Sequence, residues 1–340
     1  LANPDTYYEG GCNGLCGAGK VKTLITESVA ALDAGVDFGA YDNDGPDGVP
    51  NSGDDDGYVD FVAFVHAEAG GECGGANVWS HRFSLSGWGV WNGVATDDAR
   101  AGGGFVRIDD YVIQPALACG GVDMIEIGVF SHEFGHAFGL PDLYDTDGSS
   151  NGAGEWDLMA SGSWGGNGYT PESPSHMSAW SKAFLGWVEP LEMDVSQAAA
   201  QVPDAETYAA ALKVPFGAGV DADEYFLIEN RRKIGFDASL RTGGLLIWHV
   251  DDDRWGGPGS SNNANTRECE DGPVNGPCAD GMHYTLALEQ ADGRYDLEGD
   301  VNRSDSGDPF RAGLNDAFGA DTTPWSRPYS GDAAASPEYG

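Results

Sequence analysis

The spacing of apolar positions changes along the chain, and each spacing predicts an element. In residues 20–33, Val21, Leu24, Ile25, Val29 and Leu32 fall on one side of a helix. Residues 58–67, YVDFVAFVHA, are mostly apolar and rich in strand formers, which predicts a buried strand. Residues 78–85 and 105–113 predict two more strands, with glycine turns at 70–75 and 102–104. Residues 122–140 are apolar at almost every position that carries no ionisable group, which predicts a buried helix. Residues 175–185 predict another helix, stopped by Gly186. After Trp187 the texture changes. Residues 191–206 read as a polar, Ala-rich linker, and the short strands 225–230, 245–250 and 284–289 follow between long Gly/Asp/Asn stretches. The expectation is an α+β chain with a mixed domain over 1–190 and a mainly β part over 191–340, without a repeat of fixed period, and frayed from 333 to 340.

Composition narrows the function classes. Fifty-two glycines in 340 residues argue for many turns and against a helical bundle. Acidic residues outnumber basic ones 55 to 17, a net charge of −38. That charge repels nucleic acid and anionic membranes, and it suits calcium binding or solubility in salt. No stretch of 18 apolar residues predicts a membrane span. The chain starts at Leu1 with no initiator Met and no signal-peptide core, which reads as a mature or trimmed form. Six cysteines predict disulfides and an exported, extracellular protein. The favoured pairing is Cys12–Cys16, Cys73–Cys119 and Cys269–Cys278, because the first and last enclose short Gly- or Pro-containing loops; a cysteine zinc site would want Cys-x-x-Cys spacing, which neither close pair has.

Chemistry concentrates in IGVFSHEFGHAFGLPD, residues 127–142. His132 and His136 are four apart, one helical turn, so both rings can reach one metal. Glu133 lies roughly 100° round the helix, beside the metal rather than on it, where it can take a proton from a water. Gly139 permits a left-handed turn, Pro141 cannot continue the helix, and Asp142 returns as a third ligand. Three protein ligands leave a fourth position for water on a catalytic zinc. Two neutral imidazoles and one carboxylate leave a single net positive charge. This polarises water less than three imidazoles would, so the Glu133 base matters more. Downstream, GEWDLMASGSW places Met159 in a small-residue turn, where it could form an apolar floor under the metal, with Asp142 standing where the metzincin motif has its third His.

HEFGHAFGLPDLYD, GEWDLMASGSW and PSHMSAWSKAFLGW together resemble the immune inhibitor A family of secreted bacterial metallopeptidases. The acidic stretch YDNDGPDGVPNSGDDDGYVDFVAFVHA and the later EYFLIENRRKIGFDASL, GGLLIWHVDDD and ALEQADGRYDLE extend the resemblance from about residue 40 to about 310, with an insertion near 46–53. It implies a metzincin-like catalytic core, a mixed sheet with the zinc-motif helix and a Met-turn, followed by the mainly β half. It also implies a secreted zinc endopeptidase acting on proteins or peptides, made with a removable pro-segment and often with calcium sites. Carried over by motif, His132, His136 and Asp142 are zinc ligands, Glu133 is the general base and Met159 is the Met-turn residue. Glu155 is a rival third ligand, being a second carboxylate shortly before Met159. Tyr169 and His176 are candidates for a second oxyanion donor. The alternatives are a zinc hydrolase of another amide or ester, or a non-enzymatic calcium-loaded binding module.

Asp42, Asp44 and Asp47, then Asp54, Asp56 and Asp60, are spaced as oxygen ligands for structural calcium, although Pro46 and Tyr58 break the EF-hand pattern. Asp145 with Asp147, Asp251 to Asp253, and the group Asp296, Glu298, Asp300, Asp305 and Asp308 are weaker cases. His249, in an apolar strand, reads as a satisfied core histidine, and the pairs Trp88-Gly89 and Trp255-Gly256 as loop anchors rather than substrate contacts.

Overall fold

A computed structural model describes residues 1–16, 20–146, 148–193, 200–216, 222–252 and 284–329. The pair Cys269–Cys278, Asp147, Asp253 and the Trp255-Gly256 dipeptide lie outside the described residues. The protein is mixed α/β, with short helices and, among the described residues, three sheets, and it divides into two compact units, Leu1–Ala137 and Phe138–Gly340. Among the described residues, no helix is long and apolar enough to cross a membrane.

In the first unit, helices α1 (Asp5–Glu9) and α2 (Val21–Leu32) precede strands β1 (Ala63–Ala69), β2 (His81–Ser84), β3 (Val94–Ala99), β4 (Phe105–Ile108) and β5 (Asp110–Leu117). The main sheet has the order β1-β5-β2, with β1 parallel and β2 antiparallel to β5. β3 and β4 form a separate antiparallel pair. The apolar side of α2 (Val21, Leu24, Ile25 and Val29) is buried with Val59, Val78, Leu85, Ile108, Tyr111 and Ile113, so the 3.6-residue pattern marks a core-facing helix. Trp88 packs against this core, and its indole N–H donates to the Tyr111 hydroxyl at 2.7 Å. Cys73–Cys119 joins the loops that follow β1 and β5, and Cys12–Cys16 closes a short N-terminal loop.

Predicted elements differ in their limits, the helix expected at 175–185 running only from Ala179 to Phe184, and three of the differences have a visible reason. The apolar run at 58–67 is shared between two partners: Tyr58 bridges Arg107 of β4, while β1 proper starts at Ala63 and pairs with β5. The run at 105–113 is two strands broken at Asp109. There the Asp109 carboxylate accepts from the Ser86 backbone N–H at 2.6 Å, and its carbonyl accepts from Leu85 N–H at 2.8 Å. Helix α3 is Ile127–Ala137 rather than 122–140, because the chain before it folds back. Ala118 N–H donates to Asp123 O, Ile125 N–H donates to Ala116 O, and Val122 and Met124 remain 82% and 80% exposed. α3 lies against β5 and β2.

The second unit contains α4 (Ala179–Phe184) and the strands β6 (Leu191–Glu192), β7 (Leu212–Pro215), β8 (Glu224–Arg231), β9 (Gly244–Asp251) and β10 (Leu286–Leu288). They form one sheet in the order β10-β9-β8-β7-β6, antiparallel except for β6 with β7. Alternation sorts the side chains. Tyr225, Leu227, Leu246, Trp248 and Val250 join Leu140, Leu143, Trp156, Met159 and Trp180 in one core. Phe226 and Ile247 join Val214, Ala291 and Phe310 in another. The segment after α3 is therefore held by the same core as the β-rich sheet.

Candidate metal centre

α3 places its ionisable residues on the buried side. His132 is 8% exposed, Glu133 4% and His136 6%, and Asp142 beyond the helix is 9% exposed. Donor atoms of His132, His136 and Asp142 lie within 4.8 Å of one another. The two imidazoles meet edge to face with centroids 4.8 Å apart, the contact that i, i+4 spacing produces. Two neutral nitrogen donors and one carboxylate gathered on a buried face form a donor set suited to zinc.

Gly139 makes the turn, with φ +96°, and only Phe184 would lie near a Cβ there, at 3.8 Å. The glycine is needed for its backbone conformation rather than for space. Gly139→Ala is expected to cost about 1–2 kcal/mol, read as a lower melting temperature, and to weaken metal retention because Asp142 follows this turn. A variant with unchanged melting and unchanged metal content would refute that role.

Beyond the turn, Leu143 is fully buried and its N–H donates to the Met159 carbonyl at 2.8 Å. Met159 N–H donates to Asp157 Oδ1 at 2.6 Å, and Asp157 Oδ2 accepts from Ser178 N–H at 2.7 Å and from the Ser181 hydroxyl at 3.0 Å. One buried carboxylate thus joins the Met159 turn to the start of α4. Glu155 faces other partners: its carboxylate accepts from the Ser304 hydroxyl and lies 3.6 Å from Arg241 Nε. Tyr169 is 87% exposed. His176 is half-buried, and burial pulls its imidazole below its ordinary pKa.

A buried charge cluster stands behind this region. Arg231 is fully buried. It pairs with both Asp237 oxygens at 2.6 and 2.9 Å and donates to Trp156 O at 2.9 Å, His176 O at 3.2 Å and Glu229 Oε1 at 3.4 Å. Burial works to raise the Asp237 carboxyl, but Arg231 overrides it and holds it down at about 2. Glu206, with its side chain 2% exposed, is pushed up to about 7 by burial and by its hydrogen bond with Asp237. Between the ordinary carboxyl range and about pH 7, folded Glu206 keeps a proton that the unfolded chain has lost. Stability from this group is therefore complete below that window and falls as pH rises through it. Glu206→Gln is expected to flatten the decline in melting temperature between pH 4.5 and 7, and an unchanged slope would contradict this. Asp157, Arg231 and Asp237 were not among the sequence candidates. Asp237 lies only six positions beyond Arg231, but the contacts that give these residues their place are distant: Arg231 meets Trp156 and His176 across 75 and 55 residues, and Asp157 meets Ser178 and Ser181 across 21 and 24.

Of the acidic loop, the structure gathers Asp42, Asp44 and Asp60, with donor atoms within 4.8 Å. Asp42 is fully buried and its Oδ2 has no hydrogen-bond partner, while Oδ1 accepts from Gly57 N–H at 3.2 Å. Burial raises the Asp42 carboxyl. Asp47, Asp54 and Asp56 bond within the loop instead, to Val49 N–H, to Asp47 N–H and to Tyr58 N–H. Asp55, not singled out beforehand, shapes the loop by accepting from the N–H groups of Gly45 and Ser52. The Asp145 carboxylate is taken up by Ser149 and Ser150 N–H, and Asp308 accepts from the Trp156 indole at 2.9 Å. His249 is buried and bonded to Glu224 at 2.9 Å and Glu289 at 3.2 Å.

Residues 3–188 match the family model described as immune inhibitor A peptidase M6, catalytic domain. The chain is 35% identical over 193 residues to the pre-pro-metalloprotease PrtV of Vibrio cholerae serotype O1 (strain M66-2), covering 53% of this chain and 20% of that protein. It is 33% identical over 193 residues to immune inhibitor A of Bacillus thuringiensis subsp. alesti, covering 51% of this chain and 26% of that one. The matched part thus spans a fifth to a quarter of the length of these relatives.

Proposed function

The chain belongs to the immune inhibitor A family of M6 peptidases, which places it among the metallopeptidases, and we propose that it is a secreted zinc endopeptidase cleaving peptide bonds in proteins. The observation that carries this reading is the buried set His132, His136 and Asp142, with Glu133 on the same helix. His132, His136 and Asp142 would hold the zinc. Zinc would supply Lewis acidity toward a water and the scissile carbonyl. Glu133 takes the proton from the attacking water and returns it to the leaving amine, which needs a carboxylate held beside the metal and excluded from bulk water. Met159 floors the site as the Met-turn of a metzincin-like core. The engagement of Glu155 with Ser304 and Arg241 supports Asp142 as the third ligand. In this reading 1–190 is the catalytic core, 191–340 a β-rich part of the same peptidase unit, and a removed pro-segment a further partner. Two disulfides, Cys12–Cys16 and Cys73–Cys119, favour an oxidising, extracellular setting.

Casein cleavage is the test. It should stop when zinc is chelated and return when zinc is restored; cleavage that persists after complete metal removal would refute the reading.

Asp42, Asp44 and Asp60 are the proposed calcium ligands, supported by the unpartnered buried oxygen of Asp42. Calcium binding only the folded state stabilises by about 2.7 kcal/mol at one hundred times its Kd. Stringent calcium removal should lower the melting temperature in the wild type and much less in Asp42→Asn. Superimposable wild-type curves with and without calcium would count against the site.

A further inference from the structure

We infer that Arg231 and Asp237, both outside the 3–188 match, are positioning residues for the metal centre. The inference rests on the peptidase reading and adds what holds its parts in place.

A guanidinium has five N–H groups in a fixed plane. Here it meets five acceptors: the two Asp237 oxygens, Glu229 Oε1, Trp156 O and His176 O. The two backbone carbonyls belong to the segments flanking the Met159 turn. Asp237 acts on the same segments, because its Oδ1 also accepts from His176 N–H at 2.8 Å. The backbone of His176 is therefore gripped at both its N–H and its C=O by one ion pair.

The route onward is short and built of hydrogen bonds. Trp156, held through its carbonyl, precedes Asp157, which holds Met159 N–H. Met159 O in turn accepts from Leu143 N–H, the residue after Asp142. Arg231 thus sets the turn that presents Asp142, without touching a ligand. A simple core-filling role would be served by an apolar side chain of the same size, with no need for two carbonyl acceptors and a bidentate partner. Residues behind metal ligands commonly change metal affinity or activity by about 10–100-fold when replaced.

Arg231→Lys keeps the charge but loses the fork, and Asp237→Asn keeps the shape but loses the charge. A control, Leu227→Ala, empties the same core without touching the clamp, since Leu227 is fully buried there. The readout is the rate of zinc release from the folded full chain to excess 1,10-phenanthroline, alongside kcat and KM on a peptide. We expect release about tenfold faster or more in both clamp variants, with kcat falling and KM little changed, while Leu227→Ala releases zinc at the wild-type rate. If Arg231→Lys does not fold, Asp237→Asn carries the same comparison. Wild-type release in the clamp variants overturns the inference, as does equal acceleration in Leu227→Ala or loss of folding in both clamp variants. A wild type that neither binds zinc nor cleaves peptide refutes the peptidase reading instead.

Discussion

Replacing Glu133 with Ala is expected to lower kcat by about 10²–10⁴-fold, the usual worth of a positioned general base, while zinc content and KM stay close to wild type. The split between these readouts follows from placement. His132 and His136 lie one turn apart on α3 and bring their donor atoms together with that of Asp142, whereas Glu133 is the residue after His132 and is not in that donor group. In the proposed reaction, removing it takes away the proton acceptor and leaves the three donors in place. Glu133→Gln keeps the volume of the side chain and should be nearly as inactive, because an amide cannot take the proton. A metal-free Glu133→Ala protein would make Glu133 a ligand, and a variant with more than a tenth of wild-type kcat would remove it from the reaction.

The largest expected loss of stability is at Trp248. Its side chain is fully buried in β9, at the centre of the core that also holds Leu143, Trp156 and Met159. Trp248→Ala should cost about 3–5 kcal/mol through lost burial and the cavity left behind. A second effect adds to it: the indole N–H donates to Glu229 Oε1 at 2.9 Å, and Glu229 is itself 1% exposed and close to Arg231 and Lys182. Losing that donor leaves a buried carboxylate less well satisfied. Trp248→Phe separates the two, since it keeps most of the apolar volume and deletes only the hydrogen bond, with an expected loss of about 1–3 kcal/mol. Denaturant unfolding measures both; an Ala variant within 1 kcal/mol of wild type would show that this core does not hold the unit together.

The helix that carries His132 and His136 was legible in the sequence because its information is local. Two histidines at i, i+4, a glycine that must break the helix and apolar residues between them all act within sixteen positions, and Gly139 does adopt positive φ. The strands were legible as apolar runs, but their limits were not. A run says that a segment is buried, not which neighbour it pairs with, so 58–67 and 105–113 each divide where the partner changes. The apolar residues Val122 and Met124 extended the predicted helix although they lie on the surface. The clamp was out of reach because Arg231 meets Trp156 and His176 across 75 and 55 residues of chain. No spacing rule connects residues so far apart; only the folded sheet of the second unit brings them together.

Anomalous diffraction at the zinc edge from crystals of the full chain would locate the metal directly. One strong peak is expected about 2.0–2.2 Å from a ring nitrogen of His132, a ring nitrogen of His136 and a carboxylate oxygen of Asp142. A peak bonded to Glu155 in place of Asp142 would contradict the third ligand, and no zinc peak at the two histidines would contradict the account itself.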